Sequence, residues 1–279
     1  GLNTEAQAGT VDRRIFGGFL EHLGRAVYGG VYDPGNPLSD EQVFRRDVIE
    51  ALAGLRMPVV RYPGGNYVSS YDWKHGVGPK ERRPRRPDYA WQSIETNQFG
   101  IGEFMAWCAE LRTRPMLAVN LGTEAAREAG ELVEYCNLPG GTTWSDARIA
   151  NGQKEPFGVE LWGLGNELDG PWQAGHVPAD VYARKAYQAS FLMKQLDPSI
   201  QTVAAGSSGR GMAYSASDWR CSPGGGGRSS ATWTARRTAA SSSPGFQRSR
   251  LSEYQRVIIG QWKVNSLQRV AWTTRWTCS

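Results

Sequence analysis

Five short apolar runs, each leading into a polar residue, punctuate the first 212 positions of this 279-residue chain. They are 15–21 (IFGGFLE), 59–62 (VVRY), 116–120 (MLAVN), 159–163 (VELWG) and 202–205 (TVAA). A run apolar on both faces suits a strand covered on both sides, as in parallel sheets. Between the runs lie helical spacings. Ser39 followed three residues later by Gln42 reads as a capping box, ahead of Phe44, Val48, Leu52 and Leu55 at steps of four, four and three. Ile101, Met105, Cys108 and Leu111 mark a second face, and 123–135 a third helix. Residues 179–196 place Tyr182, Ala186, Ala189, Met193 and Leu196 on one side, and Pro198 stops that helix because proline cannot continue the hydrogen-bond ladder.

Strand–helix alternation predicts parallel βαβ units, which leaves a doubly wound open sheet or a (β/α)8 barrel. The dinucleotide fingerprint of the first is incomplete: Gly163-Leu164-Gly165 has Leu168 where a third glycine belongs, and acids follow the turn. Polar residues instead cluster just after the strand ends: Glu21, Asn66, Asn120, Asn166 with Glu167, and Ser207. The C-terminal rim of a barrel is where its chemistry sits. The expectation is therefore an α/β fold of (β/α)8 TIM-barrel type, incomplete, with about five βα units in a partial catalytic barrel over 1–212.

Past Met212 the pattern stops. Residues 213–279 are rich in Ser, Arg, Gly and Trp, hold five of the eleven tryptophans, and contain ten Lys or Arg against two acids. Residues 1–212 carry 22 against 25, so the net charge of +5 joins a mildly acidic body to a basic tail. That division removes the case for a nucleic-acid partner, for which no recognition motif speaks either. The tail reads as disordered or out of frame, with 254–262 alone resembling an element. No apolar stretch approaches the ~20 residues of a membrane-spanning helix. Residues 1–14 are polar, without the apolar core of a secretory signal, and Cys108, Cys136, Cys221 and Cys278 have no metal or disulfide spacing. The reading is a cytoplasmic protein.

The strongest chemical signal is Trp162-Gly163-Leu164-Gly165-Asn166-Glu167, a strand running straight into Asn-Glu. Cleaving a glycosidic bond needs an acid on the leaving oxygen and a second carboxylate at the anomeric carbon or on water. An amide beside the acid can donate to a sugar hydroxyl. The plain alternative is that Asn166 caps the next helix and Glu167 complements its dipole. Glu21 ends the first run beside His22, which by itself reads as a satisfied core histidine. Arg61-Tyr62-Pro63-Gly64-Gly65-Asn66 places an amide at the second strand end, with glycines that let a ligand approach the backbone. Tyr67, Tyr71, Trp73 and Trp91 supply ring faces for sugars or for core, and Trp162 suits the core.

Together these segments resemble the α-L-arabinofuranosidases of glycoside hydrolase family 51. The matching stretches are 15–32 (IFGGFLEHLGRAVYGGVY), 60–79 (VRYPGGNYVSSYDWKHGVGP), 91–102 (WQSIETNQFGIG), 161–176 (LWGLGNELDGPWQAGH) and 196–209, within a likeness spanning 10–212. The resemblance implies that Glu167 is the general acid/base and that Asn166 holds the sugar 2-hydroxyl. It gives Glu21 and Asn66 ring-hydroxyl contacts, and Trp91 the covering of the bound sugar. It implies retaining hydrolysis of terminal arabinofuranosyl residues from arabinan, arabinoxylan or arabino-oligosaccharides, with no cofactor, no metal and no membrane partner, in a usually homo-oligomeric enzyme. The family joins its barrel to a C-terminal β-sandwich, expected to be absent here. Its nucleophile, a glutamate on a later strand, is unassigned: Glu253, in Arg250-Leu251-Ser252-Glu253-Tyr254, does not resemble that motif. The expectation is an inactive or nearly inactive fragment. The alternatives are another retaining barrel hydrolase such as a xylosidase, or a catalytically dead sugar-binding fragment.

Overall fold

A computed structural model describes residues 10–206 and 208, with the backbone of Trp219–Pro223 and Ala231–Ala235. The elements are β1 Gly18–Phe19, α1 Arg46–Ala53, β2 Val59–Tyr62, β3 Arg86–Asp88, β4 Ser93–Glu95, α2 Ile101–Leu111, β5 Arg114–Val119, α3 Ala126–Asn137, α4 Thr143–Ala150, β6 Leu161–Leu164, α5 Ala179–Leu196 and β7 Gln201–Ala204. Strands β1, β2, β5, β6 and β7 form one parallel sheet in that spatial order. Each new strand lies beside the previous one. A doubly wound sheet reverses its strand order at a switch point, whereas this order is that of an incomplete (β/α) barrel. Strands β3 and β4 make a separate antiparallel hairpin between β2 and α2.

Alternation along the strands divides two cores. Val60, Tyr62, Leu117, Val119, Trp162 and Leu164 join the large cluster that packs under the helices. Val59, Met116 and Leu161, with Val203, form a second cluster on the other face. Residues of one parity from four neighbouring strands thus line the face opposite the helices, the face that a barrel turns inward. Arg61 shares the parity of Val59 and so faces that interior. Each fully buried aliphatic such as Leu117 contributes ~1.5–3 kcal/mol relative to exposure. On α5 the buried stripe is Tyr182, Ala183, Ala186, Ala189 and Met193. The Tyr182 hydroxyl donates to Leu164 O at 2.8 Å, joining the helix to the end of β6.

Several local expectations change. The run at 15–21 is mostly not strand: Arg13–Phe16 is a 3-10 turn whose Asp12 carboxylate accepts from Arg14 N, and β1 is two residues long. Asp40, not Ser39, organises the next turn. Its Oδ1 accepts from Gln42 N and Phe44 N, each at 2.9 Å, so the expected capping box is absent and α1 begins later, at Arg46. Helix α3 likewise starts at Ala126, because Asn120 ties down the amides of Gly122 and Thr123. Helix α4 and the β3–β4 hairpin are additions to the sequence reading. Helix α4 is secured by Arg148, fully buried, whose guanidinium donates to the carbonyls of Tyr135, Leu138, Pro139, Gln153 and Lys154.

In the 213–279 segment, β8 Trp219–Pro223 and β9 Ala231–Ala235 pair antiparallel. Its other residues, including 254–262, lie outside the described residues, as does Ser207. Among the described residues no helix is long and apolar enough to cross a membrane. Cys108 and Cys136 are free and buried.

Candidate active site

Strand β6 ends at Leu164, and the backbone then turns through Gly165 at φ +77° and Glu167 at φ +41°. A left-handed glutamate is uncommon, costs on the order of 1–3 kcal/mol and marks functional segments. Asn166 does not cap a helix, since α5 begins at Ala179 with Pro178 at its cap. The capping alternative is therefore excluded by the chain path.

Asn166 is buried, and its Oδ1 accepts from Arg61 Nη2 at 3.0 Å. That bond consumes the amide's acceptor and leaves its buried Nδ2 donor without a partner. Arg61 rises from the interior face of β2, its guanidinium 5.1 Å from the centre of the Phe19 ring. Burial strips water from this cation, and the charges of Glu21 and Glu167 oppose that penalty. Burial also pushes the Glu167 carboxyl above its ordinary value. A hydrogen bond from Trp172 and the charge of Arg61 pull the other way, while Asp169 and Glu21 add to the rise.

Glu21 lies 4% exposed, two residues after the end of β1. Its Oε1 accepts from Tyr67 N at 3.1 Å and from Trp91 Nε1 at 3.1 Å. Its Oε2 is buried without a hydrogen-bond partner. Burial raises this carboxyl too, against the two donors and Arg61. The carboxylate rests on glycine backbone: a Cβ built at Gly65 would stand 2.5 Å from Oε2, so no larger residue fits there without displacing the acid.

Asn66 opens the 3-10 turn Asn66–Ser70 and receives a hydrogen bond on Oδ1 from Gln173 Nε2. Gln173 is itself buried, and its Oε1 accepts from Ser69 Oγ at 2.6 Å. Trp91 sits at the tip of the β3–β4 hairpin, where Asp88 accepts from the backbone N–H groups of Ala90 and Trp91 at 2.8 and 3.3 Å.

All five expected site residues thus gather on one rim. Glu21 contacts Trp91 directly and rests on the Gly64-Gly65 backbone that precedes Asn66. Asn166 is bonded to Arg61, whose charge acts on both acids. Asn120 is not part of this group. Its side chain is consumed by Gly122 N, Thr123 N, Tyr71 O and Thr123 Oγ1, which makes it a turn organiser. His22 lies in the core, its Nε2 2.9 Å from Tyr62 Oη and its Nδ1 2.8 Å from Glu95 Oε2. Arg61, Gln173 and Trp172 were not singled out from sequence. Arg61 carried a usable signal, a lone charge inside an otherwise apolar strand. Among the described residues no group of three or more His, Cys, Asp or Glu side chains could hold a metal ion.

A partial α/β barrel with buried acids and amides gathered on its rim is the framework of a barrel glycosidase. The family of the α-L-arabinofuranosidase 1 domain matches residues 51–223. The chain belongs to the α-L-arabinofuranosidases of glycoside hydrolase family 51. It is 56% identical over 202 residues to the intracellular exo-α-(1→5)-L-arabinofuranosidase of Acetivibrio thermocellus, covering 72% of this chain and 40% of that protein. It is 52% identical to the intracellular exo-α-(1→5)-L-arabinofuranosidase 1 of Bacillus subtilis, covering 76% and 42%. Among solved structures, a family 51 α-L-arabinofuranosidase from Bifidobacterium longum superposes with a TM-score of 0.71 at 48% identity, over 72% of this chain and 40% of that one. The chain therefore spans about two-fifths of the length of the relatives it matches.

Proposed function

We propose that residues 1–212 form the acid/base and sugar-holding part of a retaining exo-α-L-arabinofuranosidase. The substrates are terminal arabinofuranosyl residues of arabinan, arabinoxylan or arabino-oligosaccharides, in the cytoplasm. The observation that carries this reading is the buried Arg61–Asn166 hydrogen bond, made by a cation whose charge also acts on Glu21 and Glu167. Glu167 is the proton donor and acceptor. Burial favours its protonated form, which a general acid needs before it can protonate a leaving oxygen. Asn166 presents Nδ2 to the ring 2-hydroxyl, a contact that strengthens as the ring becomes oxocarbenium-like. Glu21 through Oε2 and Asn66 through its amide nitrogen hold further hydroxyls, and Trp91 covers the ring.

Retention requires a second carboxylate about 5–5.5 Å from the first. Among the described residues the acids whose charges reach Glu167 are Asp169 and Glu21. Asp169 accepts from Ser208 N and Oγ, and Glu21 is engaged by Tyr67 and Trp91. We assign the nucleophile to neither, so the 279-residue chain binds the sugar without turning it over. An aryl α-L-arabinofuranoside assay and calorimetry with arabino-oligosaccharides test this together. The expected result is binding without turnover. Turnover abolished by Glu167→Gln overturns the inactivity, and absence of binding overturns the sugar site.

A further inference from the structure

We propose that His22 is a positioning residue for the sugar site, holding in place both segments that donate to Glu21; this rests on the reading of Glu21 as a sugar ligand. The two donors on Glu21 Oε1 come from different parts of the fold. Tyr67 N–H belongs to the turn after β2, and Trp91 Nε1 to the tip of the β3–β4 hairpin. His22 touches both segments. Its ring stacks on the Tyr67 ring, with centroids 4.5 Å apart and planes 18° from parallel. Its Nδ1 lies 2.8 Å from Oε2 of Glu95, the last residue of β4 and so the far end of the same hairpin.

The remaining contacts fix the ring and the hairpin base. The Tyr62 hydroxyl donates to Phe99 O at 3.1 Å and stands 2.9 Å from His22 Nε2. Glu95 also accepts from the Tyr28 hydroxyl and, at 2.6 Å, from Asn97 N. Burial alone would raise the Glu95 carboxyl; His22, Tyr28 and Asn97 together hold it below its ordinary value.

The consequence is a hairpin pinned at two neighbouring residues of one loop. Its tip meets Glu21 through Trp91, and its base meets His22 through Glu95. With the base fixed, the indole N–H and the Tyr67 amide both occupy Oε1, and Oε2 is left for a hydroxyl. Without it, Trp91 hangs from a two-stranded ribbon, which is marginal by itself in water.

The test is hydrogen exchange of the whole chain, read separately over 86–95 and over α3 and α5, alongside calorimetry with an arabino-oligosaccharide. His22→Phe keeps a ring on Tyr67 and removes both polar contacts. The expected result is about tenfold faster exchange over 86–95, unchanged exchange in α3 and α5, and affinity weakened about tenfold. His22→Asn, whose amide nitrogen falls near the position of Nδ1, restores most of both. Glu95→Gln is the second route should His22→Phe not fold, with the same selective loosening expected. Unchanged exchange over 86–95, or equal loosening of α3 and α5, overturns the proposal and makes His22 an ordinary core residue. Selective loosening in a chain that binds no arabino-oligosaccharide retains the clamp and sinks the sugar reading instead.

Discussion

Arg61 Nη2 donates to Asn166 Oδ1 at 3.0 Å across 105 residues of sequence. The bond has a polarity: it occupies the acceptor of the amide and leaves the donor. Gln173 does the same to Asn66, filling its Oδ1. Glu21 has the opposite arrangement, with one oxygen filled by donors and the other open as an acceptor. A rim offering two amide donors and one carboxylate acceptor is complementary to adjacent hydroxyls, each of which gives one proton and accepts others.

Gln173→Leu tests the polarity of Asn66. With Nε2 gone, the Asn66 amide is free to turn its oxygen toward the sugar, and Ser69 loses its acceptor. The expected loss is about tenfold in affinity for arabino-oligosaccharides by calorimetry, in line with ~1 kcal/mol per hydrogen bond. Affinity equal to the unsubstituted chain counts against this role.

Gly65→Ala tests the seat of Glu21. The new methyl would stand 2.5 Å from Oε2, so the carboxylate must move off its two donors. We expect affinity reduced more than tenfold, with the loss of the hydrogen bonds and of alignment adding together. A crystal structure of the variant with Glu21 unmoved, or unchanged affinity, refutes the close fit.

Glu167→Gln tests the cost of the buried acid by its pH dependence. Burial raises the folded-state value above the ordinary 4.5. The folded protein therefore favours the protonated form, and this group's contribution is intact below the unfolded value and lost as pH rises through the raised one. At pH 7 the amide should stabilise the chain by on the order of 1 kcal/mol, or about 2–4 °C in melting temperature. The gain should vanish below about pH 4. A gain independent of pH would place its origin elsewhere.

Arg148→Met tests the anchor of α4. The substitution keeps length and removes every donor to five carbonyls in a fully buried setting. Urea unfolding should show a loss of about 3 kcal/mol or more, since unpaired buried carbonyls keep their desolvation penalty. A loss under ~1 kcal/mol would mean that water replaces the guanidinium.

Much of the frame was legible because periodicity reports burial directly. The strand at 59–62 and the helices Ile101–Leu111 and Ala179–Leu196 stand where their patterns put them. Glu21, Asn66, Asn166 and Glu167 stand out in the sequence because they follow strand ends, a position that Asn120 shares without joining them. What escaped detection depended on contacts distant in sequence. Ser39 and Gln42 have the spacing of a capping box, yet Asp40 takes the nearby amides and defers the helix. The β3–β4 hairpin lies in a polar stretch with little alternation, and Glu95 and Asp88, not apolar pairs, hold it. Gln173 carries no such signal. Its burial depends on Asn66 and Ser69, more than 100 residues earlier.

The spatial order of the five parallel strands follows their order in the chain. A polypeptide leaving the ribosome N-terminus first therefore offers each strand its neighbour as soon as it emerges, and no position in the sheet waits for a segment not yet synthesised. Glu21, Asn66, Trp91 and Glu167 have all emerged once the loop after β6 is out. Translation thus delivers the residues proposed to hold the sugar well before the remaining length of a family member, and nascent-chain experiments can look for ligand binding at that stage.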